Sequence, residues 1–246
     1  MQNTVNEEGD SDKEKRYGMH QLTSEQIRGN LLNVIMAGYD TVATTMSWIL
    51  YELAKSPEYQ ERIRVEANAS LGDVNRLDLE KDFSVLEKVF NTPGVHVPFI
   101  NAFVQETFRL HSVIPLLQVH ALNDQEIRGV KIVKGTEIFL LNRVATLRSW
   151  PTFNPFKFNP VQWLDADETL LNAMNQVILT FGFGPRVCPG RHLAEMNLIA
   201  MVILITANFQ LSLIDMPPSA EPVHEKGIPV SFPANIQIRI EPIESC

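Results

Sequence analysis

The chain has 246 residues, of which 45% are hydrophobic and 20% are charged. This composition excludes a disordered or collagen-like chain, and the length allows one large domain or two small ones. The formal net charge of −8 argues against a nucleic-acid-binding protein. With only two cysteines, Cys188 and Cys246, neither a disulfide framework nor a four-cysteine zinc site can form, so we expect a soluble protein in a reducing compartment.

The N-terminal segment carries no sign of a secretory or membrane signal. Residues 7–16 are almost all charged, whereas a signal peptide needs an apolar run. We predict that residues 1–18 form a flexible polar lead-in. The longest apolar stretch, 198–207, is too short to span a bilayer, which takes about 20 residues, and it is expected to form one buried helix.

A long helix is predicted directly after this lead-in. Thr23 and Gln26 have the spacing of a capping box, and apolar residues then recur at helical spacing as far as Leu53. Ser56 and Pro57 are typical of the cap and the first turn of a new helix. The first helix is therefore predicted to have about 33 residues, and a helix of this length normally crosses a whole domain.

Three further helices and several short strands are predicted downstream of the long helix. In chain order they are helices over 57–69, 98–111 and 189–208, and strands within 118–144, 209–214 and 236–240. Prolines and aromatic residues dominate 150–163, where no regular structure is expected. The predicted fold class is mainly α with a small β-sheet.

The segment from Phe181 to Gly190 reads F-G-F-G-P-R-V-C-P-G and precedes the last predicted helix. Its glycines let the backbone turn tightly and approach a flat, bulky group. Cys188 stands at the predicted helix N-terminus, where the helix dipole favours a thiolate. Such a thiolate is a metal ligand or a nucleophile with His192 as its local partner, and a buried structural cysteine is the alternative. The spacing alone leaves these interpretations open.

Other motifs that place glycines or nucleophiles at fixed spacing are not supported. Gly182 and Gly184 begin a G-x-G, but Val187 stands where a dinucleotide-binding loop has its third glycine, and no βαβ pattern surrounds it. The motifs of phosphate-binding loops, zinc proteases and serine hydrolases are absent from the sequence.

The segment around Cys188 resembles the haem-binding signature F-x-x-G-x-R-x-C-x-G of the cytochrome P450 family. Its defined positions are filled by Phe181, Gly184, Arg186, Cys188 and Gly190. The resemblance implies haem as the cofactor, with Cys188 as the axial thiolate on the iron. It also implies that Arg186 binds a haem propionate and that Phe181 packs beside the sulfur ligand.

A second motif lies inside the long first helix. Residues 37–41 read A-G-Y-D-T and match the family's oxygen-activating A-G-x-[DE]-T. Gly38 leaves room for a ligand against the helix, and Thr41 can bond back to the carbonyl of Ala37 and open the groove. Asp40 and Thr41 then form an acid–alcohol pair that can pass protons to bound oxygen. Taken alone, the same residues also fit an ordinary helix with a solvated aspartate.

A third motif, E-x-x-R, is formed by Glu106 and Arg109, which face one another across one helical turn. On an exposed helix the pair would contribute little, whereas the resemblance implies a buried structural pair near the haem. The family usually completes it with an arginine where this sequence has Gln162, an amide that cannot balance a carboxylate. The position often taken by a propionate-binding arginine is His120.

The resemblance extends over residues 20–246 and corresponds to the C-terminal half of the cytochrome P450 fold, from the long central helix onward. The expected organisation is the lead-in 1–18 followed by a haem-binding region over 19–246, with no counterpart of the N-terminal half. The loops look closest to fungal microsomal members of the family.

The resemblance implies a haem-thiolate monooxygenase that oxidises an apolar small molecule, as in secondary metabolism. It would use O₂ and electrons from a separate NADPH–cytochrome P450 reductase. A truncated, non-catalytic haem-binding remnant and an O₂-independent haem-thiolate isomerase or dehydratase are the alternatives. Full-length relatives are expected at the cytoplasmic side of the endoplasmic reticulum membrane, but this sequence shows no anchor or membrane-spanning segment.

Overall fold

The computed structural model of the chain describes residues 22–72, 97–152, 154–215, 223–226 and 230–243, and it describes 223–226 by the backbone alone. The helices are α1 (Ser24–Lys55), α2 (Pro57–Leu71), α3 (Pro98–Leu110), α4 (Asn142–Arg148), α5 (Glu168–Val177) and α6 (Arg191–Asn208). The strands are β1 (Leu117–His120), β2 (Gln125–Ile127), β3 (Val130–Ile132), β4 (Glu137–Leu140), β5 (Phe209–Leu213), β6 (Val223–Lys226), β7 (Ser231–Ala234) and β8 (Ile238–Pro242). The predicted class, mainly α with short strands, is confirmed.

The chain divides into two compact units, Met1–Ala37 and Gly38–Cys246. The described part of the first unit is the beginning of α1, whose side chains are exposed. The second unit contains all the other elements. The predicted lead-in, 1–18, and Cys246 lie outside the described residues.

The long first helix begins with the predicted capping box. The backbone N–H of Thr23 donates to Gln26 Oε1 at 2.9 Å, and the N–H of Gln26 donates to Thr23 Oγ1 at 3.2 Å. Both bonds satisfy amides that have no partner within the helix, so a local sequence pattern fixes where α1 starts. The helix has 32 residues. The predicted side-chain cap of Ser56 on the next helix is wrong: Ser56 occupies the cap position, but its hydroxyl makes no capping bond.

The core of the second unit lies between the C-terminal part of α1 and the helices α2, α3 and α6. The stretch predicted as one buried helix is confirmed, because Leu198, Val202 and Ile203 are at most 1% exposed. Burying an aliphatic side chain of this size contributes about 1.5–3 kcal/mol to folding. Among the described helices, none is both long enough and apolar enough to cross a bilayer.

The described strands form antiparallel pairs: β1 with β4, β2 with β3, β5 with β8 and β6 with β7. The predicted turn between β2 and β3 is confirmed, and Arg128 and Gly129 turn the chain there with φ of 51° and 83°. A small sheet was the expectation, whereas the described strands form separate two-stranded ladders. The ladders β2–β3 and β6–β7 join consecutive strands, whereas β1–β4 and β5–β8 enclose other elements.

Two short helices, α4 and α5, are not anticipated by the sequence. Helix α5 follows Asp167, whose side chain accepts the N–H of Leu170 at 2.8 Å and caps the helix. The last helix was predicted from residue 189, but it begins at Arg191 with Gly190 in the N-cap position. Cys188 therefore belongs to the preceding loop. Pro160 begins a 3₁₀ turn within the proline-rich stretch, since proline fits the first position of such a turn.

Candidate functional site

The loop between Phe181 and Gly190 is closed by backbone hydrogen bonds. The N–H of Gly182 donates to the carbonyl of Leu179 at 2.9 Å, and the N–H of Cys188 donates to the carbonyl of Phe181 at 2.9 Å. Gly182 and Gly184 have φ of 72° and 68°, a region in which other residues are strained. The two glycines therefore make the tight turn possible that returns Cys188 to Phe181.

Cys188 presents a free thiol to solvent at the end of this loop. Its carbonyl accepts the N–H of Arg191 at 3.4 Å, so the thiol stands just ahead of the first turn of α6. A Cβ at Gly190 would lie 3.9 Å from Cys188 Sγ, which is an ordinary van der Waals distance. The prediction of a cysteine at a helix N-terminus is therefore correct to within two residues.

Phe181 connects the loop to the core. Its ring is half-buried and meets the ring of Phe108 edge-on, with centroids 5.0 Å apart. The guanidinium of Arg191 lies 5.3 Å from the centre of the Phe181 ring. The first residue of the motif is therefore in contact with one side chain of α3 and one of α6.

Arg186 and His120 were predicted to face a cofactor, and both side chains are exposed. Arg186 ends the 3₁₀ turn Gly184–Arg186, and its side chain makes no hydrogen bond or ion pair to the described residues. His120 ends β1 opposite Glu137 of β4. The side chains of Arg186 and His120 are therefore both accessible to a ligand.

The motif of the first helix lies in the middle of α1. Asp40 is exposed, Thr41 is half-buried, and a Cβ at Gly38 would meet no atom within 4 Å. Beyond it, the hydroxyl of Thr45 donates to the carbonyl of Thr41 at 2.8 Å. Gly38 therefore borders open space, and the role of the motif stays a prediction.

Glu106 and Arg109 form a fully buried ion pair in α3, with side-chain exposures of 0% for both. Arg109 donates from Nε and Nη2 to the two carboxylate oxygens, each at 2.7 Å. It also donates to the carbonyls of Pro155 and Lys157. Its guanidinium lies 4.8 Å from the centre of the Trp150 ring. The predicted pair is buried in the structure and braces α3 against the 150–163 segment.

Gln162 completes this pair with its amide. Its Nε2 donates to both oxygens of Glu106, at 3.0 and 2.9 Å. Its Oε1 accepts from Trp150 Nε1 at 3.1 Å and from Thr152 Oγ1 at 2.7 Å. The cluster therefore balances one carboxylate against one guanidinium, and Gln162 connects it to two donors that an arginine could not serve.

Two contacts that the sequence analysis missed hold the residues just before the loop. The hydroxyl of Thr180 donates to the carbonyl of Phe108 at 3.0 Å, and Nδ2 of Asn142 donates to the carbonyl of Leu179 at 3.5 Å. A third missed contact lies outside the loop, where the hydroxyl of Thr146 donates to the carbonyl of Val177 at the end of α5, at 2.7 Å. No sequence signal identifies these partners, because each bond joins elements that are distant along the chain.

A second polar cluster lies away from the loop. His111 Nε2 and Glu52 Oε1 are 2.7 Å apart, and both side chains are buried. Burial lowers the pKa of His111 below its ordinary value of 6.5, and the hydrogen bond with Glu52 opposes part of that shift. The contact is therefore a hydrogen bond from a neutral imidazole near neutral pH, and it borders a cleft of about 520 Å³.

The donor chemistry of the loop fits haem. Within the described ranges, no three His, Cys, Asp or Glu side chains come together around a common point. Cys188 offers one soft, accessible sulfur, which would suit an iron ion whose other ligands come from a macrocycle. The exposed guanidinium of Arg186, two residues away, suits a carboxylate on the same group.

Comparisons of the sequence with known proteins point to one family. The family model of cytochrome P450 matches residues 2–232. Cytochrome P450 76T24 of Catharanthus roseus is 32% identical over 222 residues, which cover 88% of this chain and 42% of the relative. The mitochondrial cholesterol side-chain cleavage enzyme of Sus scrofa is 33% identical over 199 residues, which cover 80% of this chain and 35% of that enzyme.

Solved structures of the same family share the fold. A crystal structure of a cytochrome P450, CYP102L1, superimposes with a TM-score of 0.74 at 21% identity and covers 92% of this chain and 48% of that one. The haem domain of cytochrome P450DA gives a TM-score of 0.71 at 24% identity, with coverages of 91% and 45%. The chain therefore has part of this fold and spans less than half the length of these relatives.

Proposed function

The chain belongs to the cytochrome P450 family, whose members carry haem with an axial thiolate, and on that premise we propose that it binds haem through Cys188. We further propose that the protein is a haem-thiolate monooxygenase. When bound, haem supplies the activation of O₂ that allows one oxygen atom to be inserted into a substrate. The chain's own residues hold the cofactor and deliver protons.

The observation that carries the proposal is the closed loop from Phe181 to Gly190. The bond from the Cys188 N–H to the Phe181 carbonyl returns the chain on itself and leaves the thiol exposed. In this proposal Cys188 is the axial ligand, and Gly184 and Gly190 keep side chains out of the turn beside it.

Arg186 is assigned to a propionate of the haem. Its guanidinium is exposed and makes no ion pair with the described residues, so it can form a charge-assisted hydrogen bond with a carboxylate. His120 is assigned to the same task from the end of β1, as a hydrogen-bond donor.

Asp40 and Thr41 are assigned to proton delivery. Asp40 is exposed and Thr41 is half-buried beside it on α1, next to the open space at Gly38. A carboxylate in contact with solvent can collect a proton, and a neighbouring hydroxyl can pass it on through its own hydrogen bonds. Glu106 and Arg109 are assigned a structural role, since the two side chains form an ion pair with each other inside the buried cluster.

The proposal extends to partners and substrate. We assign residues 19–246 to the haem-binding region, an apolar small molecule of secondary metabolism as the substrate, and an NADPH-dependent reductase as the electron source. Location at the cytoplasmic side of the endoplasmic reticulum membrane belongs to the same proposal. The location remains a prediction, and one of the relatives named above is a mitochondrial enzyme.

The direct test is the difference spectrum of the haem-reconstituted chain after reduction under carbon monoxide. We expect the strongly red-shifted Soret band of a thiolate-ligated complex. Cys188→Ala should abolish that band, whereas Cys246→Ser should keep it, which makes the second cysteine a matched control. A thiolate-type band that persists in the Cys188→Ala variant would overturn the axial assignment.

A second candidate is that the chain works only together with a further P450 polypeptide. It is favoured by the apolar side chains that α1 exposes, among them Ile35 at 65% and Met36 at 71%. A folded chain that shows no thiolate-type band alone, but gains it when the N-terminal half of a relative is added, would select this candidate.

A further inference from the structure

Thr180 stands at the entrance of the cysteine loop and joins it to α3. Its hydroxyl donates to the carbonyl of Phe108 at 3.0 Å. Phe108 lies in the last turn of α3, where the carbonyl groups find no N–H donor within the helix. The bond therefore satisfies a helix-end carbonyl and ties the loop to a fixed point.

The carbonyl of Phe108 is held in place by its neighbours in α3. Two residues before Phe108, Glu106 is locked by hydrogen bonds from Arg109, Gln162 and Trp163. One residue after it, Arg109 is fully buried. An acceptor held between two such residues has little freedom to move.

From Thr180 a short series of contacts leads to the thiol. The adjacent residue, Phe181, packs its ring edge-on against the ring of Phe108. The carbonyl of Phe181 accepts the N–H of Cys188 at 2.9 Å. Phe108 thus holds the loop at two consecutive residues, by its carbonyl through Thr180 and by its ring through Phe181.

We propose that Thr180 is a positioning residue for Cys188. Its hydroxyl holds the chain directly before Phe181, which limits the movement of the Phe181 carbonyl, and this carbonyl in turn sets the position of the Cys188 backbone that carries the thiol. The structural statement concerns the chain itself, and its consequence for haem ligation rests on the function proposed above.

The first test uses the haem-free chain. Hydrogen exchange of the Cys188 amide is compared in the wild type, Thr180→Val and Thr180→Ser, under conditions where all three are folded. Thr180→Val removes the hydroxyl at constant shape, and we expect exchange at Cys188 to rise by about threefold to tenfold, the factor that corresponds to one lost hydrogen bond. Thr180→Ser keeps the donor and should retain the wild-type rate.

Thr146→Val is the matched control. Thr146 makes the same kind of bond, from its hydroxyl to the carbonyl of Val177 at 2.7 Å, but outside the loop. The control should lower the stability of the chain without accelerating exchange at Cys188. Equal rates at Cys188 in Thr180→Val and wild type would overturn the proposal. So would a Thr180→Ser variant that loses protection, and this comparison remains decisive if Thr180→Val does not fold.

The second test adds haem and measures which fraction of the ferrous carbonyl complex has the thiolate-type Soret band. We expect this fraction to fall in Thr180→Val and to recover in Thr180→Ser. An unchanged fraction in both variants would contradict the consequence for ligation. If the wild type itself shows no thiolate-type band, the proposed function fails, while the exchange rates still decide the role of Thr180.

Discussion

The side chain of Gln162 shows how a single residue can complete a buried charge cluster. The E-x-x-R spacing predicts that Glu106 and Arg109 face one another, and the structure buries them. Spacing does not predict the other bonds of their third partner, Gln162. Trp150 and Thr152 donate to Gln162 only after the proline-rich segment has folded back. An amide suits this place because it both donates and accepts.

Replacing Gln162 should therefore destabilise the fold. Gln162→Leu removes the donor to Glu106 and leaves the donors of the buried Trp150 and the half-buried Thr152 without their acceptor. An unsatisfied buried group costs about 1–3 kcal/mol. Gln162→Arg restores the family's usual residue, but it should also destabilise, because an arginine accepts no hydrogen bond and adds a second cation. Urea unfolding measures both effects.

Gln176→Leu serves as the control for these variants, since Gln176 is an exposed residue of α5. It should change the free energy of unfolding by less than about 0.5 kcal/mol. A Gln162→Arg variant more stable than the wild type would show that the neutral amide is not the better partner of Glu106.

His111 makes stability depend on pH. Burial lowers its pKa in the folded chain below 6.5, so below that pH the unfolded chain binds the proton more readily than the folded one. The contribution of neutral His111 is complete above pH 6.5 and is lost as the pH falls from there towards the lowered pKa. Urea unfolding between about pH 7.5 and 5 should show this decline, and His111→Gln should flatten it. The same slope in both proteins would refute the assignment.

At the scale of elements, the helix boundaries show what local sequence can and cannot determine. The start of α1 is predictable because Thr23 and Gln26 supply each other's hydrogen bonds within one turn. The start of α3 is capped from another helix, since the Glu66 carboxylate of α2 accepts the N–H groups of Phe99 and Ile100 at 2.9 and 2.8 Å. No pattern within α3 indicates this cap.

Glu66→Ala should lower the free energy of unfolding by about 1–2 kcal/mol, because two helix-end amides lose their acceptor and the helix dipole loses its counter-charge. Glu61→Ala on the same helix is the control. Glu61 forms an exposed ion pair with Arg64, which contributes less than about 1 kcal/mol. Equal losses in both variants, measured by urea unfolding, would mean that Glu66 contributes no more than a surface charge.

For the whole molecule, the sequence predicts the class of fold, the long helix and the order of the main elements. It does not predict the separation of the strands into two-stranded ladders, because pairing partners depend on how the helices bring the strands together. It also does not show that the apolar stripe of α1 is solvent-exposed in its first half, where Leu31 to Met36 include side chains that are 57–71% exposed.

That exposed stripe should make the isolated chain self-associate. The double substitution Ile35→Lys and Met36→Lys should reduce association in sedimentation velocity experiments and change the free energy of unfolding by less than about 0.5 kcal/mol, because neither side chain packs in the core. Asn30→Lys and Asn33→Lys, also exposed, add the same charge without removing apolar surface. If this control reduces association equally, net charge and not the stripe is responsible.

The carboxylate of Glu106 also ties together distant parts of the chain. The N–H of Asn159 and Nε1 of Trp163, 53 and 57 residues further on, both donate to it. The intervening segment, which includes β1 to β4 and α4, is thus tethered at both ends to one side chain, as a cross-link would tether it. Loss of that single carboxylate would remove both of these ties together, so the Asn159 and Trp163 N–H groups should lose their protection in the same step.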